Sequence, residues 1–262
     1  MEIAIYQVDA FTEHVFGGNP AAICPLDDWL EEDVMQKIAA ENNVSETAFF
    51  VKKEGVFEIR WFMPYAEIDL CGHATLASAF IIFNTLYPKL VEIEFSSKSG
   101  ILKALKGKEG LIHLDFPSRP PKQIVIPKEV FLAFEKAPLE AYVSRDLILL
   151  YEDEREIEKL KPKLHFLKDL PYLCIVPTSI SKAKDVDFVS RVFDPNGSIS
   201  EDPVTGSAHT SLIPLWKEKL NKNTFKAIQL SVRQGTLFCS IEKDRVQISG
   251  KAVLYLHGNI YI

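Results

Sequence analysis

Two short segments, one in each half of the chain, repeat a single arrangement: Cys71-Gly72-His73-Ala74-Thr75-Leu76-Ala77-Ser78 and Glu201-Asp202-Pro203-Val204-Thr205-Gly206-Ser207-Ala208-His209. In each, a Gly, a small polar or titratable residue and an Ala stand at the head of an apolar stretch. Each follows an aromatic run that ends in Pro, Trp61-Phe62-Met63-Pro64 and Val192-Phe193-Asp194-Pro195. A Gly at the start of a buried helix lets a ligand approach unpaired backbone N–H groups that carry a partial positive charge. One structural unit used twice predicts two similar lobes, with two helix N-termini facing one cleft and binding an anion. The plainer reading is that Gly permits a tight turn and Ala lets a buried helix pack.

The 262 residues are enough for two compact domains or one large one. With 47% apolar and 25% charged residues, the composition is that of an ordinary globular protein. The net charge of −6 and the absence of a long Lys/Arg cluster argue against a nucleic-acid partner. Met1-Glu2-Ile3-Ala4-Ile5-Tyr6 runs straight into an alternating strand pattern, so no secretory leader is expected. The most apolar run, Ala74 to Phe83, is too short to span a bilayer, so no membrane partner is expected. Cys24, Cys71, Cys174 and Cys239 are far apart and form no C-x-x-C pair. They are expected as buried thiols in a reducing cytoplasm, without disulfides or a zinc knuckle.

Residues 3–8 read as a strand, Phe16 to Pro20 as a turn, and Ala21 to Cys24 as a second strand. Asp27 or Asp28 is placed to cap a helix running to about Asn42, with Leu30, Val34 and Ile38 on one stripe. Glu46 to Val51 is strand-like, and Val56 to Met63 alternates cleanly. Gly72 to Leu86 reads as a helix apolar on nearly all sides, of the kind found at a domain centre. Strands follow at 91–95, 101–105 and 111–116. Pro117-Ser118-Arg119-Pro120-Pro121 is the best linker. The order then repeats: a helix over 130–134, a strand over 141–150, a charged helix over 153–161, strands at 173–176 and 188–193, and a second apolar helix from Gly206. Pro214 should kink or shorten that helix. The last forty residues read as strands, with Lys243-Asp244-Arg245 as a turn. The expected domains are an N-terminal lobe, 1–116, to which 251–262 returns, and a C-terminal lobe, 117–250.

Several residues can carry chemistry. Glu46 has the apolar neighbours Thr47-Ala48-Phe49-Phe50, which would raise its pKa and let it exchange protons near neutrality, unless it is simply an exposed acid at a strand edge. His73 titrates near neutrality, and the dipole of its helix should push its pKa down. Asp202 can orient a neighbour or accept a proton, or serve as a turn residue. Ser207 can donate to a substrate hydroxyl or carboxylate, or cap its helix. His14, His113, His165, His209 and His257 are isolated, and no metal is expected. No G-x-S-x-G elbow, P-loop or G-x-G-x-x-G is present.

With these residues assembled, the sequence closely resembles the PhzF-like family, named for a phenazine-biosynthesis isomerase. The matching pieces are Val8-Asp9-Ala10-Phe11-Thr12, Phe16-Gly17-Gly18-Asn19-Pro20-Ala21-Ala22, Asn42-Asn43-Val44-Ser45-Glu46-Thr47-Ala48-Phe49, Asp69-Leu70-Cys71-Gly72-His73-Ala74-Thr75-Leu76-Ala77 and Ser200-Glu201-Asp202-Pro203-Val204-Thr205-Gly206-Ser207-Ala208. The resemblance implies an α/β (α+β) fold of the diaminopimelate-epimerase-like kind: two pseudo-symmetric lobes, each a curved sheet around a central helix, with the site between them. It implies no cofactor, a homodimer and a small anionic substrate. Glu46 matches the family's proton-shuttling Glu, and His73, Asp202 and Ser207 match its other catalytic positions. Asn19, Gly72, Ala74, Thr205, Gly206 and Ala208, in the same motifs, are the expected substrate-binding positions. Diaminopimelate epimerase pairs two Cys residues. Cys71 matches the first, but the second segment has no Cys, which argues against two-thiol epimerisation. Gln234-Gly235 also lacks the Gly-Arg-Pro-Ser stretch that follows it in many members.

The leading expectation is therefore a cofactor-independent isomerase that moves a proton on a small carboxylate-bearing molecule. A racemase or epimerase of amino or hydroxy acids, motivated by Cys71, is the second. A non-catalytic metabolite-binding or interaction module is the third, since fold does not fix function. No phenazine pathway can be read from one chain.

Overall fold

The computed structural model describes residues 1–197 and 199–262. In chain order the elements are β1 (Glu2–Ala10), β2 (Asn19–Leu26), α1 (Glu32–Asn42), β3 (Glu46–Lys53), β4 (Val56–Met63), β5 (Ala66–Ile68), α2 (Gly72–Ile81), β6 (Glu92–Ser97), β7 (Gly100–Lys106) and β8 (Ile112–Pro117). They continue as β9 (Lys122–Ile124), α3 (Lys128–Ala133), β10 (Glu140–Val143), β11 (Leu147–Leu150), α4 (Glu154–Lys159), β12 (Ile175–Ile180), β13 (Phe188–Ser190), α5 (Gly206–Leu220), β14 (Thr224–Gln229), β15 (Gly235–Glu242), β16 (Arg245–Gly250) and β17 (Ala252–Tyr261). The chain forms two compact units, Met1–Phe116 with Gln247–Ile262, and Pro117–Val246.

The two units share one plan. In the first, β1 and β2 are antiparallel, β2 crosses over through α1 to a parallel β3, and β3 turns back into β4. Strand β4 then crosses over through α2 to a parallel β6, which pairs antiparallel with β7. In the second, β10 and β11 are antiparallel and β11 crosses over through α4 to a parallel β12. Strand β12 is antiparallel to β13, which crosses over through α5 to a parallel β14, antiparallel to β15. The sense of every step is the same, and α2 and α5 occupy equivalent crossovers. The duplicated segments thus begin equivalent helices.

In the first unit, residues 47–51 of β3 are all buried. A strand covered on both faces reads as a continuous apolar run rather than an alternating one. Helix α1 packs Met35, Ile38 and Ala39 against Cys24, Phe49 and Phe62, while α2 packs on β1, β2 and β3. Helix α2 is buried on almost every side. Two of its polar side chains are satisfied within the helix start and first turns: Thr75 Oγ1 donates to the Cys71 carbonyl at 2.5 Å and Ser78 Oγ to that of Ala74 at 2.8 Å. The terminal strand β17 pairs antiparallel with β1 along its length.

In the second unit a core of Val130, Phe134, Leu147, Leu149, Ile157, Ile175 and Val189 underlies α3 and α4. Helix α5 anchors through Trp216, which stacks on Phe188 at 5.3 Å and donates to Thr178 Oγ1 at 3.1 Å. Among the described residues, no helix is long and apolar enough to cross a membrane.

Four sequence expectations need correction. Helix α1 starts at Glu32 rather than after Asp27 or Asp28; Asp28 Oδ1 accepts the Trp29 amide instead. The single strand expected over 141–150 is a hairpin, because Ser144-Arg145-Asp146 turns the chain between β10 and β11. Helix α5 runs on through Pro214. The carbonyl that Pro214 cannot satisfy, on Thr210, accepts the backbone N–H of Arg119 at 2.9 Å, which removes the penalty of the missing bond. The aromatic run before the second segment is not a strand reaching Pro195. Among the described residues of that run beyond Ser190, only Phe193 bridges, to Ile175 and Glu201.

Candidate active site

The site builds outward from the two helix starts, each within its own unit. Helix α2 begins after Cys71, whose backbone is extended, and α5 after Thr205, likewise extended. Neither of these residues caps its helix with a well-aligned side-chain hydrogen bond, although the Ala74 N–H faces the Cys71 sulfur.

At α2 the fold gathers four side chains. His73, the second residue of the helix, is buried. Glu46, the first residue of β3, places Oε2 2.9 Å from His73 Nε2. Asn19, the first residue of β2, places Nδ2 3.2 Å from His73 Nδ1. Cys71 Sγ lies 3.5 Å from the same Nδ1. A tight turn positions Asn19. The buried Asp9 carboxylate accepts the Phe16 amide at 2.8 Å, and Gly18 sits at φ +60°, where a Cβ would lie 2.0 Å from the Ala10 carbonyl oxygen. Gly72 and Ala74 flank His73 on the helix and are buried with it.

The hydrogen-bond roles follow from donor and acceptor chemistry. In the protonated imidazole both ring nitrogens carry hydrogen: Nε2–H faces the Glu46 carboxylate, and Nδ1–H faces the Asn19 side-chain amide, whose oxygen is the matching acceptor, and the Cys71 sulfur. Glu46 Oε2, although close to His73, makes no well-aligned hydrogen bond, and the side chain is only 14% exposed. It is a largely buried carboxylate oxygen with unused acceptor capacity.

Charge decides the protonation of this group. Burial pushes the His73 imidazolium down, but the negative charges and hydrogen bonds of Cys71 and Glu46 outweigh it and hold His73 well above its ordinary value. Burial, and then the Glu46 charge, pushes the Cys71 thiol up. Cys71 and Glu46 together keep the proton on His73. The sequence expected the helix dipole to lower the His73 pKa. The structure reverses that direction, because a carboxylate at 2.9 Å outweighs a partial charge spread over a helix turn.

At α5 the gathering is different. Asp202 Oδ2 accepts the Thr205 hydroxyl at 2.5 Å. Gln229, at the end of β14, clamps the approach to the helix: its Oε1 accepts the Thr205 amide at 2.8 Å and its Nε2 donates to the Asp202 carbonyl at 2.7 Å. Ser207 Oγ accepts a hydrogen bond from Arg145 Nη2 at 2.8 Å. Because arginine only donates, the Ser207 hydroxyl proton remains free to donate elsewhere. Gly206 and Ala208, on either side of Ser207, lie in the first turn of α5 and let it pack closely. Glu201, beside Asp202 in sequence, serves structure: it pairs with Arg191 through two hydrogen bonds of 2.7 and 2.8 Å. Sequence reasoning missed Arg145 and Gln229. Arg145 had a signal, a polar break inside the apolar run 141–150. Gln229 had none.

The family model for phenazine biosynthesis-like proteins (PhzC-PhzF) matches residues 8–258. A Pseudomonas aeruginosa protein named as an uncharacterized isomerase is 43% identical over 262 residues, all of both chains. The crystal structure of a PhzF-family protein of Enterococcus faecalis superposes with a TM-score of 0.96 at 46% identity, covering all of both chains. A predicted epimerase of Pseudomonas aeruginosa, at 18% identity and TM-score 0.75 over 99% of both chains, shares the fold. A match across nearly the whole length, on a fold also seen in epimerases, settles the family: the chain belongs to the PhzF-like, phenazine biosynthesis-like proteins.

Proposed function

We propose that this protein is a cofactor-independent isomerase that moves a proton on a small, carboxylate-bearing molecule. The observation that carries the proposal is Glu46 Oε2, largely buried, 2.9 Å from His73 and without a well-aligned hydrogen bond. Glu46 is the base that takes a proton from carbon next to an unsaturated system and returns it at another carbon. His73, kept protonated by Cys71 and Glu46, supplies positive charge where the delocalised anion develops, as does the N–H at Gly72, while the Ala74 N–H holds the Cys71 sulfur. Asn19 holds the imidazole in place. Asp202 is the second acid/base group, and Ser207, with the backbone of Thr205, Gly206 and Ala208, is a hydrogen-bond donor set for substrate oxygen. The net reaction moves one proton and needs no electron acceptor. The relative named as an isomerase supports the reaction class.

The test is incubation of the protein in deuterium oxide with trans-2,3-dihydro-3-hydroxyanthranilate and related cyclic acids. Mass gain by one deuterium in any of them supports the reading, and no incorporation across the panel counts against it.

A second reading has its own observation. The Cys71 thiol is within 3.5 Å of His73 Nδ1 and can exchange a proton with it, which suits a racemase or epimerase of an amino or hydroxy acid with Glu46 or Asp202 as the opposing group. Chiral analysis of such acids decides it, and full activity in Cys71→Ser would remove its motive.

The proposal extends to a homodimer in the cytoplasm. Leu254, Tyr255 and Leu256 are exposed along β17, and Phe16 packs on Tyr255 at 5.6 Å, an apolar surface that a second copy would cover. All four cysteines are free thiols, which suits a reducing compartment. Light scattering on the purified chain reads the oligomeric state.

A further inference from the structure

Two arginines beside the start of α5 have more hydrogen-bond donors than the fold uses. A guanidinium carries its N–H groups in a rigid fork, and elsewhere in the chain such forks are filled. Arg191 donates twice to Glu201, at 2.7 and 2.8 Å, and also reaches the Ile157 and Leu160 carbonyls. Arg60 donates twice to Glu67, both at 2.7 Å, and to Glu32 at 2.6 Å. Arg145 is bound less completely. It donates to Ser207 Oγ at 2.8 Å, but the carboxylate of the buried Asp146 stands 3.4 Å from both its Nε and its Nη2, against about 2.7 to 2.9 Å for a close ion pair. Among the described residues, the Arg119 guanidinium makes no hydrogen bond. One face of α5 brings the two together. Ser207, Thr210 and Ser211 are spaced by three and four residues, which puts them on one side of the helix. Arg145 is tied to Ser207, the Arg119 backbone N–H donates to the Thr210 carbonyl at 2.9 Å, and Ser144 and Ser211 share a hydrogen bond of 2.6 Å. Burial, and then the Arg145 charge, pushes the Arg119 pKa down. A partly buried cation with no hydrogen-bond partner, beside a like charge, costs free energy that packing alone does not offset.

We propose that Arg145 and Arg119, with the Ser207 hydroxyl, form a binding site in the second unit for the carboxylate of a small molecule. The unused N–H groups of a planar fork match the two oxygens of a carboxylate. Ser207 completes the set, because its oxygen accepts from Arg145 and its proton is left to donate. The N-terminus of α5, one residue before Ser207, adds a favourable potential for negative charge. Arg119 lies in Pro117-Ser118-Arg119-Pro120-Pro121, where prolines on both sides stiffen the backbone that carries it. The pair is hidden in the sequence, since Arg119 comes from that proline-rich segment and Arg145 from the turn between β10 and β11. The bound carboxylate is the substrate's own. That assignment rests on the isomerase reading, whereas the binding site does not.

Benzoate, benzamide and inorganic phosphate are the probes, titrated into the full chain by calorimetry at low salt. Benzoate should bind saturably, and benzamide, with the same shape and no charge, roughly 10-fold or more weaker. Arg119→Gln and Arg145→Gln should each weaken benzoate by roughly 10-fold, and Arg119→Lys should recover part of the loss. Arg119→Gln also gives a readout that a structural role would not. It removes a cation without a partner, so its thermal midpoint should equal or exceed that of wild type while benzoate binding falls. Three results overturn the proposal: no saturable benzoate binding to wild type, equal affinity for benzoate and benzamide, or undiminished binding in both folded glutamine variants. Inorganic phosphate bound more tightly than benzoate overturns the choice of a carboxylate. Solvent deuterium exchange separates the site from the isomerase reading. With an acid that is turned over, Arg119→Gln should raise KM more than it lowers kcat. Benzoate binding that needs both arginines, with no exchange into any acid, keeps the site and removes the isomerase. Exchange with an unchanged KM in Arg119→Gln removes the assignment to the substrate.

Discussion

Glu46 Oε2 lies 2.9 Å from His73 Nε2, and this contact sets the charge of the imidazole at the start of α2. Burial and the helix dipole both favour neutral His73; Cys71 and the Glu46 carboxylate together override them. Nitrogen-15 NMR of the ring should show His73 titrating well above 6.5 in wild type and lower in Glu46→Gln, where the carboxylate is gone and burial and Cys71 remain. The sign for stability follows. A pKa raised on folding adds stability that is fully present below 6.5 and lost as pH rises through the folded value. An unchanged titration in Glu46→Gln would mean that another group holds the proton.

His209 responds to pH in the opposite direction. It is fully buried in α5, with Nδ1–H donating to the Thr205 carbonyl at 3.0 Å, and burial pushes its pKa down from 6.5 to about 4. The neutral form is the folded one, so stability is present above 6.5 and is lost as pH falls from 6.5 toward 4. At about 1.4 kcal/mol per unit, His209 alone should cost about 3 kcal/mol across that window. Urea unfolding of wild type and His209→Leu at both ends of the window checks this; the variant should show a smaller loss.

The Arg191–Glu201 pair should be worth more than a surface salt bridge. Arg191 is 12% and Glu201 18% exposed, and Arg191 Nη1 also donates to the Ile157 and Leu160 carbonyls at the end of α4. Removing one partner leaves a largely buried charge unpaired. Glu201→Gln is expected to cost roughly 2 to 3 kcal/mol, somewhat below the cost for a fully buried pair. Denaturant midpoints read it, and a change under 0.5 kcal/mol, about the value of an exposed pair, would contradict the account.

These elements divide by how much of them can be read along the chain. Helices α2 and α5 were legible because a run that is apolar on all sides has few structural outcomes besides a buried helix. Asn43 as the end of α1 was legible too, since its left-handed conformation suits Asn. The β10–β11 hairpin was not, because β11 is fully buried, β10 is half-buried, and only Ser144-Arg145-Asp146 breaks the apolar run. The continuation of α5 through Pro214 depends on Arg119, far away in sequence, accepting the role of donor to Thr210. In the site, Glu46 and His73 were legible as residue types. Their contact was not, and the contact reverses the sign of the expected pKa shift.

Gln229 offers a test of how the second helix start is held. It accepts the Thr205 amide and donates to the Asp202 carbonyl. Gln229→Leu keeps the volume but leaves both backbone groups without that partner, at an expected cost of about 1 to 3 kcal/mol. If the isomerase reading is right, turnover should fall more than substrate affinity, because Asp202 and Ser207 lose their alignment. Deuterium-exchange kinetics on the folded variant separates the two effects.

The central claim is that Glu46 moves the proton, and its most direct measurement is solvent deuterium incorporation into a turned-over substrate by wild type and Glu46→Gln. The isosteric amide keeps the shape of the site and removes the base, so exchange should fall by roughly 100-fold to 10,000-fold in a protein that remains folded. Exchange at the wild-type rate in a folded Glu46→Gln protein would contradict the account.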